Sequence, residues 1–275
     1  MGDCKYCGQP AGFLRTKHPG CEEKYNYGWA EMVSTARAAL NSSSLSALQQ
    51  RLTDIAASYL VPKDLVRSAL ITAWTEAVDT SLSDQLLTAD EEHALVAFQR
   101  EFALSQAELD RTGAFMRLGK AAVLRDVVEG KVPQRVAVDG YFPFNLQKTE
   151  SLIWMFNGVD YFETRTHTQY VGRSAGFSIR VARGIYYRTG AFHGRPIQSS
   201  EVVHAGHGPL AVTNKDLYYS GGQKSLRIPF NKIVTFQEYS DGIGVQRDAA
   251  SAKPQVFRTG DGWFTYNLIT NAAHL

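Results

Sequence analysis

The feature that most constrains this chain is the position of its cysteines. All three cysteines of the 275-residue sequence lie near the N-terminus, at Cys4, Cys7 and Cys21. An odd number of cysteines at this spacing cannot form a closed set of disulfides. Together with His18 they form the pattern C-x2-C-x10-H-x2-C, which supplies the four sulfur and nitrogen ligands of a tetrahedral zinc site. The sequence therefore predicts bound Zn²⁺.

We expect this zinc ion to be structural. Four ligands fill a tetrahedron, whereas a catalytic zinc keeps one position open. A segment of about 25 residues cannot bury a core of its own, so the metal would supply its folding energy. Gly8 allows a turn after Cys7, and Pro19 and Glu22 suit the first turn of a following helix. A catalytic zinc or a redox-active cysteine pair is the alternative.

Small zinc modules also bind nucleic acids, and the charges around these ligands leave that role open. The nearby basic residues are Lys5, Arg15, Lys17 and Lys24. The acidic residues that dilute them are Asp3, Glu22 and Glu23. We therefore expect the module to be mainly structural, with nucleic-acid contact as its alternative role.

Residues 26–132 carry the spacing of amphipathic helices, with apolar residues recurring every three or four positions. Thr88 with Glu91, and Ser105 with Glu108, match the capping box in which a hydroxyl residue stands three positions before a glutamate. Each box predicts a helix start, and we expect the helix that opens at Ser105 to continue without a break.

Two stretches of this segment, residues 83–92 and 102–109, resemble the tellurite-resistance-type (TerB-like) helical domain. Such domains have an acidic turn before one helix and a Leu-Ser-x-x-Glu sequence at the start of the next. The resemblance implies an all-α bundle, and in that family the acidic turn is suspected of binding metal. This chain has Gln85 where the family has glycine. Alternatively, the acidic residues at 90–92 only stabilise a helix N-terminus through its dipole.

From residue 141 the pattern changes to short apolar and aromatic runs separated by glycine, asparagine and aspartate, which is typical of an all-β unit. Four of the predicted strands span residues 151–156, 159–165, 201–205 and 208–213. We expect Asn157 and Gly158 to form a hairpin turn between the first two. Asp261 is placed to cap a final helix.

Many strands followed by one terminal helix resemble a pleckstrin-homology-like (PH-like) barrel, in which a helix closes one end. Residues 208–221, with Thr213 and Asn214 at their centre, are similar to a hairpin of bacterial PH-like and GRAM-like domains. The resemblance covers residues 200–275 well and the preceding strands loosely.

These observations predict an α+β multidomain fold. It comprises a zinc-binding module at residues 1–25, a TerB-like all-α helical bundle at 26–132, and an all-β PH-like barrel at 141–275 that is capped by a C-terminal helix.

Charge is unevenly distributed along the chain. The net charge is +2, but residues 1–132 carry −3 and residues 133–275 carry +5. Six arginines occur in a stretch without any acidic residue: Arg165, Arg173, Arg180, Arg183, Arg188 and Arg195. Because arginine binds phosphate and carboxylate through a bidentate fork, this stretch predicts a surface for an anionic lipid or an acidic protein. A solvated face of outward-pointing arginines is the alternative.

No signal peptide and no membrane-spanning apolar stretch is evident, so we expect a cytoplasmic protein, peripheral at most to a membrane. The sequence predicts a non-enzymatic adaptor that binds a protein partner, an anionic lipid or both. The TerB-like resemblance implies a setting of stress or phage defence. A nucleic-acid-binding protein that uses the zinc module and the arginines is the alternative.

Two further hypotheses involve metal chemistry. The first is a metal-dependent enzyme built on the helical segment with Asp84, Asp90 and Glu91. The second is a metal site formed across strands by His193, His204 and His207. We expect neither, because helix capping and polar loop histidines account for these residues.

Overall fold

The computed structural model describes the chain except Met1 and residues 41–44, 85–86, 139, 175–176, 183–184, 190–191, 223 and 250–251. For residues 166–200 it describes the backbone alone. The chain divides into two compact units, Met1–Glu129 and Gly130–Leu275. It is an α+β multidomain protein, as the sequence predicts. The finer boundaries at residues 25 and 132 stay predictions.

The first unit is helical. Its helices are α1 (Pro19–Leu40), α2 (Leu48–Ser58), α3 (Val66–Ser81), α4 (Ala89–Glu101), α5 (Gln106–Leu109) and α6 (Ala114–Val128). Their apolar faces meet in one core around Trp74, which is fully buried. Its indole N–H would be unsatisfied there, and it donates to the carbonyl of Leu95 at 3.0 Å. The pairing fixes α3 against α4.

Both predicted capping boxes are confirmed. Thr88 Oγ1 accepts from the Glu91 N–H at 3.2 Å, and the Glu91 carboxylate accepts from the Thr88 N–H at 2.9 Å. Ser105 and Glu108 form the same reciprocal pair. The uninterrupted helix expected after Ser105 is wrong, because a 3-10 turn follows α5 and Gly113 adopts a left-handed φ of +72° before α6 begins.

The second unit is an antiparallel sheet with a C-terminal helix. Its strands are β1 (Leu152–Ser174), β2 (Phe177–Ala182), β3 (Ile185–Thr189), β4 (Phe192–Thr213), β5 (Asp216–Gly221), β6 (Lys224–Pro229), β7 (Ile233–Tyr239), β8 (Gly242–Arg247) and β9 (Gln255–Arg258). Seven of them form one curled, half-barrel sheet in the order β6-β5-β4-β1-β9-β8-β7, and β2 pairs with β3 in a separate hairpin.

The final helix, α7 (Gly262–Ala272), packs against β7, β8 and β4. The Asp261 carboxylate accepts from the Phe264 N–H at 3.1 Å, so the predicted cap is confirmed. The Phe264 ring meets Trp154 and Phe156 of β1 at centroid distances of 5.1 and 5.8 Å. These aromatic contacts close the sheet against α7.

The predicted hairpin at Asn157-Gly158 is a bulge inside β1. The pairing of β1 with β4 shifts register between Phe156 and Val159, and Gly158 has a φ of +69°. A glycine in this conformation lets one strand take an extra residue without ending. β4 is likewise continuous where the sequence predicts two strands.

β1 and β4 extend beyond the rest of the sheet. β9 pairs with β1 only at residues 160–163, and β5 pairs with β4 only at residues 210–212. Further along, the described backbone pairs β1 with β4 alone, as far as Ser174 opposite Phe192. We call this two-stranded projection, residues 164–174 with 192–202 and the β2–β3 hairpin between them, the basic ribbon. Each of its long strands spans roughly 33 Å.

The packing of α1 generates a prediction about Gly28. A β-carbon on this buried glycine would lie 2.2 Å from Cβ of Tyr59. Gly28→Ala therefore forces α1 away from the end of α2, and we expect a loss of about 1–3 kcal/mol in the free energy of unfolding. Denaturant unfolding followed by circular dichroism measures it.

Gly119 of α6 provides the matched control. A β-carbon there meets no atom within 4 Å, so Gly119→Ala should stabilise the helical unit by about 0.5–1 kcal/mol. Equal effects of the two substitutions would contradict the packing described for α1.

Candidate metal centre and basic ribbon

The four predicted ligands lie together at the start of α1. One ligand atom from each of Cys4, Cys7, His18 and Cys21 lies within 4.8 Å of all the others. His18 Nδ1 is 3.5 Å from Cys7 Sγ and 3.7 Å from Cys21 Sγ. Tetrahedral bonds of about 2.3 Å to sulfur and 2.0–2.1 Å to nitrogen place neighbouring sulfur and nitrogen ligands roughly 3.6 Å apart. The cluster therefore fits a tetrahedral metal ion.

The first ligand pair is held by a tight turn. The Gly8 N–H donates to the Cys4 carbonyl at 2.8 Å, and Gly8 has the left-handed φ of +71° that the sequence argument requires. The Cys4 N–H donates to the Gln9 carbonyl at 2.7 Å. These backbone bonds bring Cys7 back over Cys4, so both sulfur atoms face the same point.

The second ligand pair lies at the first turn of α1. The helix begins at Pro19, and the N–H groups of Cys21 and Glu22 both donate to the His18 carbonyl at 3.1 Å. His18 and Cys21 are therefore one helical turn apart on the same side. A bound metal ion would fix the position of α1 directly.

The imidazole of His18 is oriented by a neighbour that the sequence does not reveal. His18 Nε2 lies 3.0 Å from the carbonyl oxygen of Pro10. With the proton on Nε2 donated to that carbonyl, Nδ1 is left as the lone-pair atom among the sulfurs, as metal-binding histidines require. A backbone carbonyl has no signature in residue type, so spacing rules identify the ligand but not its support.

The thiols of the cluster differ in their acidity. Burial alone would raise the pKa of Cys4, but the N–H groups of Cys7, Tyr6 and His18 that face its sulfur lower that pKa to about 6. Burial, reinforced by Cys7 and Cys4, raises the pKa of Cys21 to about 11. Crowded thiols resist a second negative charge, and a bound cation is what stabilises several thiolates together.

The acidic turn before α4 has other contacts. Glu91 completes the capping box with Thr88, and Glu92 pairs with Arg125 of α6 at 2.5 Å, with both side chains largely buried. Gln85 lies outside the described residues. Among the residues that the structure describes, the cysteine and histidine cluster is the group with metal-binding spacing, and it does not include this turn.

Two of the three candidate histidines on the sheet meet at one carboxylate. His204 Nε2 and His207 Nδ1 lie 3.1 and 2.8 Å from Asp160 Oδ1, and Arg258 donates to Oδ2 at 2.5 Å. Arg258, followed by His207 and His204, holds the pKa of Asp160 well below its usual range. The side chain of His193 lies outside the described residues. The described groups form a hydrogen-bonded ion cluster rather than a metal site.

Five of the six predicted arginines occupy described positions of the basic ribbon. Arg165, at the base, is half exposed and pairs with Glu163 at 3.1 Å. The backbone positions of four others are described, whereas their side chains lie outside the description: Arg173 in β1, Arg180 in β2, Arg188 in β3 and Arg195 in β4. Arg183 lies outside the described residues altogether.

Comparisons with protein-family models, with curated proteins and with solved structures give no match to this chain. Within the described residues, the helices are all too short or too polar to cross a bilayer. The metal cluster and the basic ribbon are therefore the two features of the molecule that bear on its function.

The cluster generates a prediction about metal content. We expect purified protein to contain one zinc equivalent per chain, and Cys4→Ser to abolish it, because Cys4 is the most buried ligand at 1% exposure. Elemental analysis measures the metal. Because His18 and Cys21 adjoin the first turn of α1, chelation should also lower the melting temperature followed by circular dichroism.

His18→Cys and His18→Ala form the control pair. The cysteine variant keeps four zinc ligands and should retain the metal, whereas the alanine variant keeps three and should bind it weakly. Metal-free wild-type protein, or retention of metal by Cys4→Ser, would contradict the site.

Proposed function

We propose that this protein is a non-enzymatic cytoplasmic adaptor whose N-terminal module is held by structural zinc and whose basic ribbon binds an anionic partner. The observation that carries the proposal is the ribbon itself. It projects from the sheet as paired strands, and residues 164–200 contain six arginines and no lysine, aspartate or glutamate. Such a concentration of one charge attracts an oppositely charged partner.

The chemistry of the donors supports zinc as the metal. Three thiols and one imidazole form a closed set of four, which is the preference of structural zinc sites and not of hard cations such as Mg²⁺ or Ca²⁺. Zinc binding contributes about 10–16 kcal/mol in small zinc-dependent folds. That is enough to order the segment before α1, in which Cys4 and Ala11 are the only buried apolar residues among those that the structure describes.

The layout of each unit supports the family interpretations. A curled antiparallel sheet with a C-terminal helix packed against it is the arrangement of a PH-like domain. Thr213 Oγ1 accepts from the Asp216 N–H at 2.9 Å within the turn of the hairpin at residues 208–221. Asn214 Oδ1 accepts from the Ser151 N–H at 2.9 Å and so ties that turn to the residue before β1. The two capping boxes fit a TerB-like helical unit, which we propose docks a protein partner.

The pairing register places two of the arginine positions on one face of the ribbon backbone. Arg173 is opposite His193, and Val171 is opposite Arg195. Directly paired residues share a face, and so do residues two apart on a strand. Positions 173, 193 and 195 therefore fall on the same face, at the spacing of neighbouring strand positions. The arginines at two of these three positions suit phosphate or carboxylate groups presented by a lipid surface or an acidic protein.

The geometry of the ribbon also favours a second candidate function. The major groove of B-form DNA admits a two-stranded β-ribbon, and strands of roughly 33 Å would cover about one helical turn. Under this second candidate, the chain is a nucleic-acid-binding protein that uses the basic ribbon and the zinc module, and not an adaptor for a lipid or a protein.

Charge reversal on the ribbon tests the proposal. We expect the triple variant Arg173→Glu, Arg180→Glu and Arg183→Glu to weaken sedimentation with vesicles of about 30 mol% phosphatidylserine by about tenfold or more, since each charge near such a surface contributes about 1 kcal/mol. The matched control reverses three exposed cations elsewhere, Lys63, Arg111 and Lys232. It changes net charge equally and should bind as the wild type does.

An assay of binding to duplex DNA distinguishes the two candidate functions. Salt-sensitive binding to duplex DNA that the ribbon variant loses, without vesicle binding, would favour the nucleic-acid function. If the ribbon variant and the surface control behave alike with both probes, the ribbon is not the binding surface.

A further inference from the structure

The loop between the two ligand pairs exposes two large apolar side chains. Phe13 is 81% exposed and Leu14 is 89% exposed, and these are among the most exposed large apolar residues described. They belong neither to the basic ribbon nor to the four residues of the metal cluster. We call residues 12–15 the apolar tip.

The apolar tip is held out from the module by its own backbone. Ala11 N–H donates to the Gly2 carbonyl at 2.9 Å on one side, and Lys5 N–H donates to the Thr16 carbonyl at 3.0 Å on the other. Both ends of the loop are thus hydrogen-bonded to the N-terminal residues Gly2 and Lys5, and the tip between them projects. The exposure of Phe13 and Leu14 follows from that anchoring.

Leu14 adopts a backbone conformation that leucine rarely occupies. Its φ is +55°, in the left-handed region, next to Gly12 with a φ of +96°. Strained residues of this kind concentrate at functional sites. At this position glycine or asparagine would fit the backbone better, so the local fold gives no reason for leucine.

Two exposed cations, Arg15 and Lys5, adjoin the loop that carries the tip. Arg15 is exposed and adjoins Leu14, and Lys5 is fastened to the loop through Thr16. Lys17 is also exposed, although Glu22 pairs with it at 2.5 Å. Residues 10–17 contain two basic and no acidic side chains. An apolar turn flanked by basic residues is the pattern of segments that enter the interface of an anionic bilayer.

The small size of the apolar tip favours a lipid surface over a protein groove as its binding partner. Stable protein interfaces bury about 800 Å² on each partner, far more than the two side chains of a projecting turn can offer. Insertion of one aromatic and one aliphatic side chain among lipid headgroups needs no complementary pocket. Interfacial anchoring typically combines such an apolar element with basic residues.

We propose that Phe13 and Leu14 insert into the interfacial region of an anionic lipid bilayer while Arg15 and Lys5 contact its headgroups. The shape of the loop rests on the proposed structural zinc, whereas the lipid contact is independent of the basic ribbon. The zinc module would then be a membrane-contact site in addition to holding α1.

Substitution of the two apolar residues tests this proposal. The double variant Phe13→Ser, Leu14→Asn removes the apolar surface, and asparagine tolerates the left-handed conformation, so the loop keeps its fold. With zinc-loaded full-length protein, we expect about tenfold or more weaker partition onto vesicles of about 30 mol% phosphatidylserine. Arg15→Glu should weaken binding to these vesicles and leave partition onto neutral phosphatidylcholine vesicles unchanged.

The matched control removes exposed apolar surface from the other unit, through Tyr141→Ser and Val234→Ser, whose wild-type residues are 88% and 64% exposed. It should partition as the wild type does. Zinc is measured in every sample, so a missing metal refutes the proposed zinc site separately. Zinc-loaded wild-type protein that ignores anionic vesicles, or tip and control variants with equal partition, would overturn the lipid contact.

Discussion

The helical unit depends on the convergence of four donor atoms at the start of its longest helix. Two of the ligands come from a glycine turn, and the other two adjoin the first turn of α1. α1 then packs against α2, α3 and α4, with Met32 and Ala36 fully buried. A tetrahedral ion has little freedom of angle, so it would fix the direction of α1 at its origin. The cysteine and histidine cluster and the helical core therefore belong to one compact unit.

The β unit depends in the same way on the pairing of β1 with β4. Every other strand of the seven-stranded sheet is attached to this pair, through β9 on one side and β5 on the other. The backbones of β4 and β5 approach so closely that glycine is required at position 208, since a β-carbon at Gly208 would lie 2.0 Å from the Ser220 carbonyl oxygen. The same two strands carry the basic ribbon, so the ribbon is a continuation of the sheet core.

Side-chain chemistry at fixed spacing was the predictable part of this molecule. Ligand identity, the Thr88 and Ser105 capping boxes and the Asp261 cap each follow from a few neighbouring residues. Strand continuity did not follow, because an Asn-Gly pair suits a hairpin turn and a bulge equally, and only the partner strand decides between them. The Pro10 carbonyl that orients His18 and the exposure of Phe13 depend on how the loop folds back, which no local pattern encodes.

The distribution of ion pairs explains why the excess charge of the β unit lies on its ribbon. Three described carboxylates on the sheet are matched by cations: Asp160 by Arg258, Glu163 by Lys224 and Arg165, and Asp216 by Arg227. Glu163 and Glu201 stand where the ribbon leaves the sheet, and no acidic residue occurs between them. Local pairing thus neutralises the sheet and leaves the ribbon arginines to act together over about a Debye length. The proposed partner would therefore be selected by its negative charge before any specific contact forms.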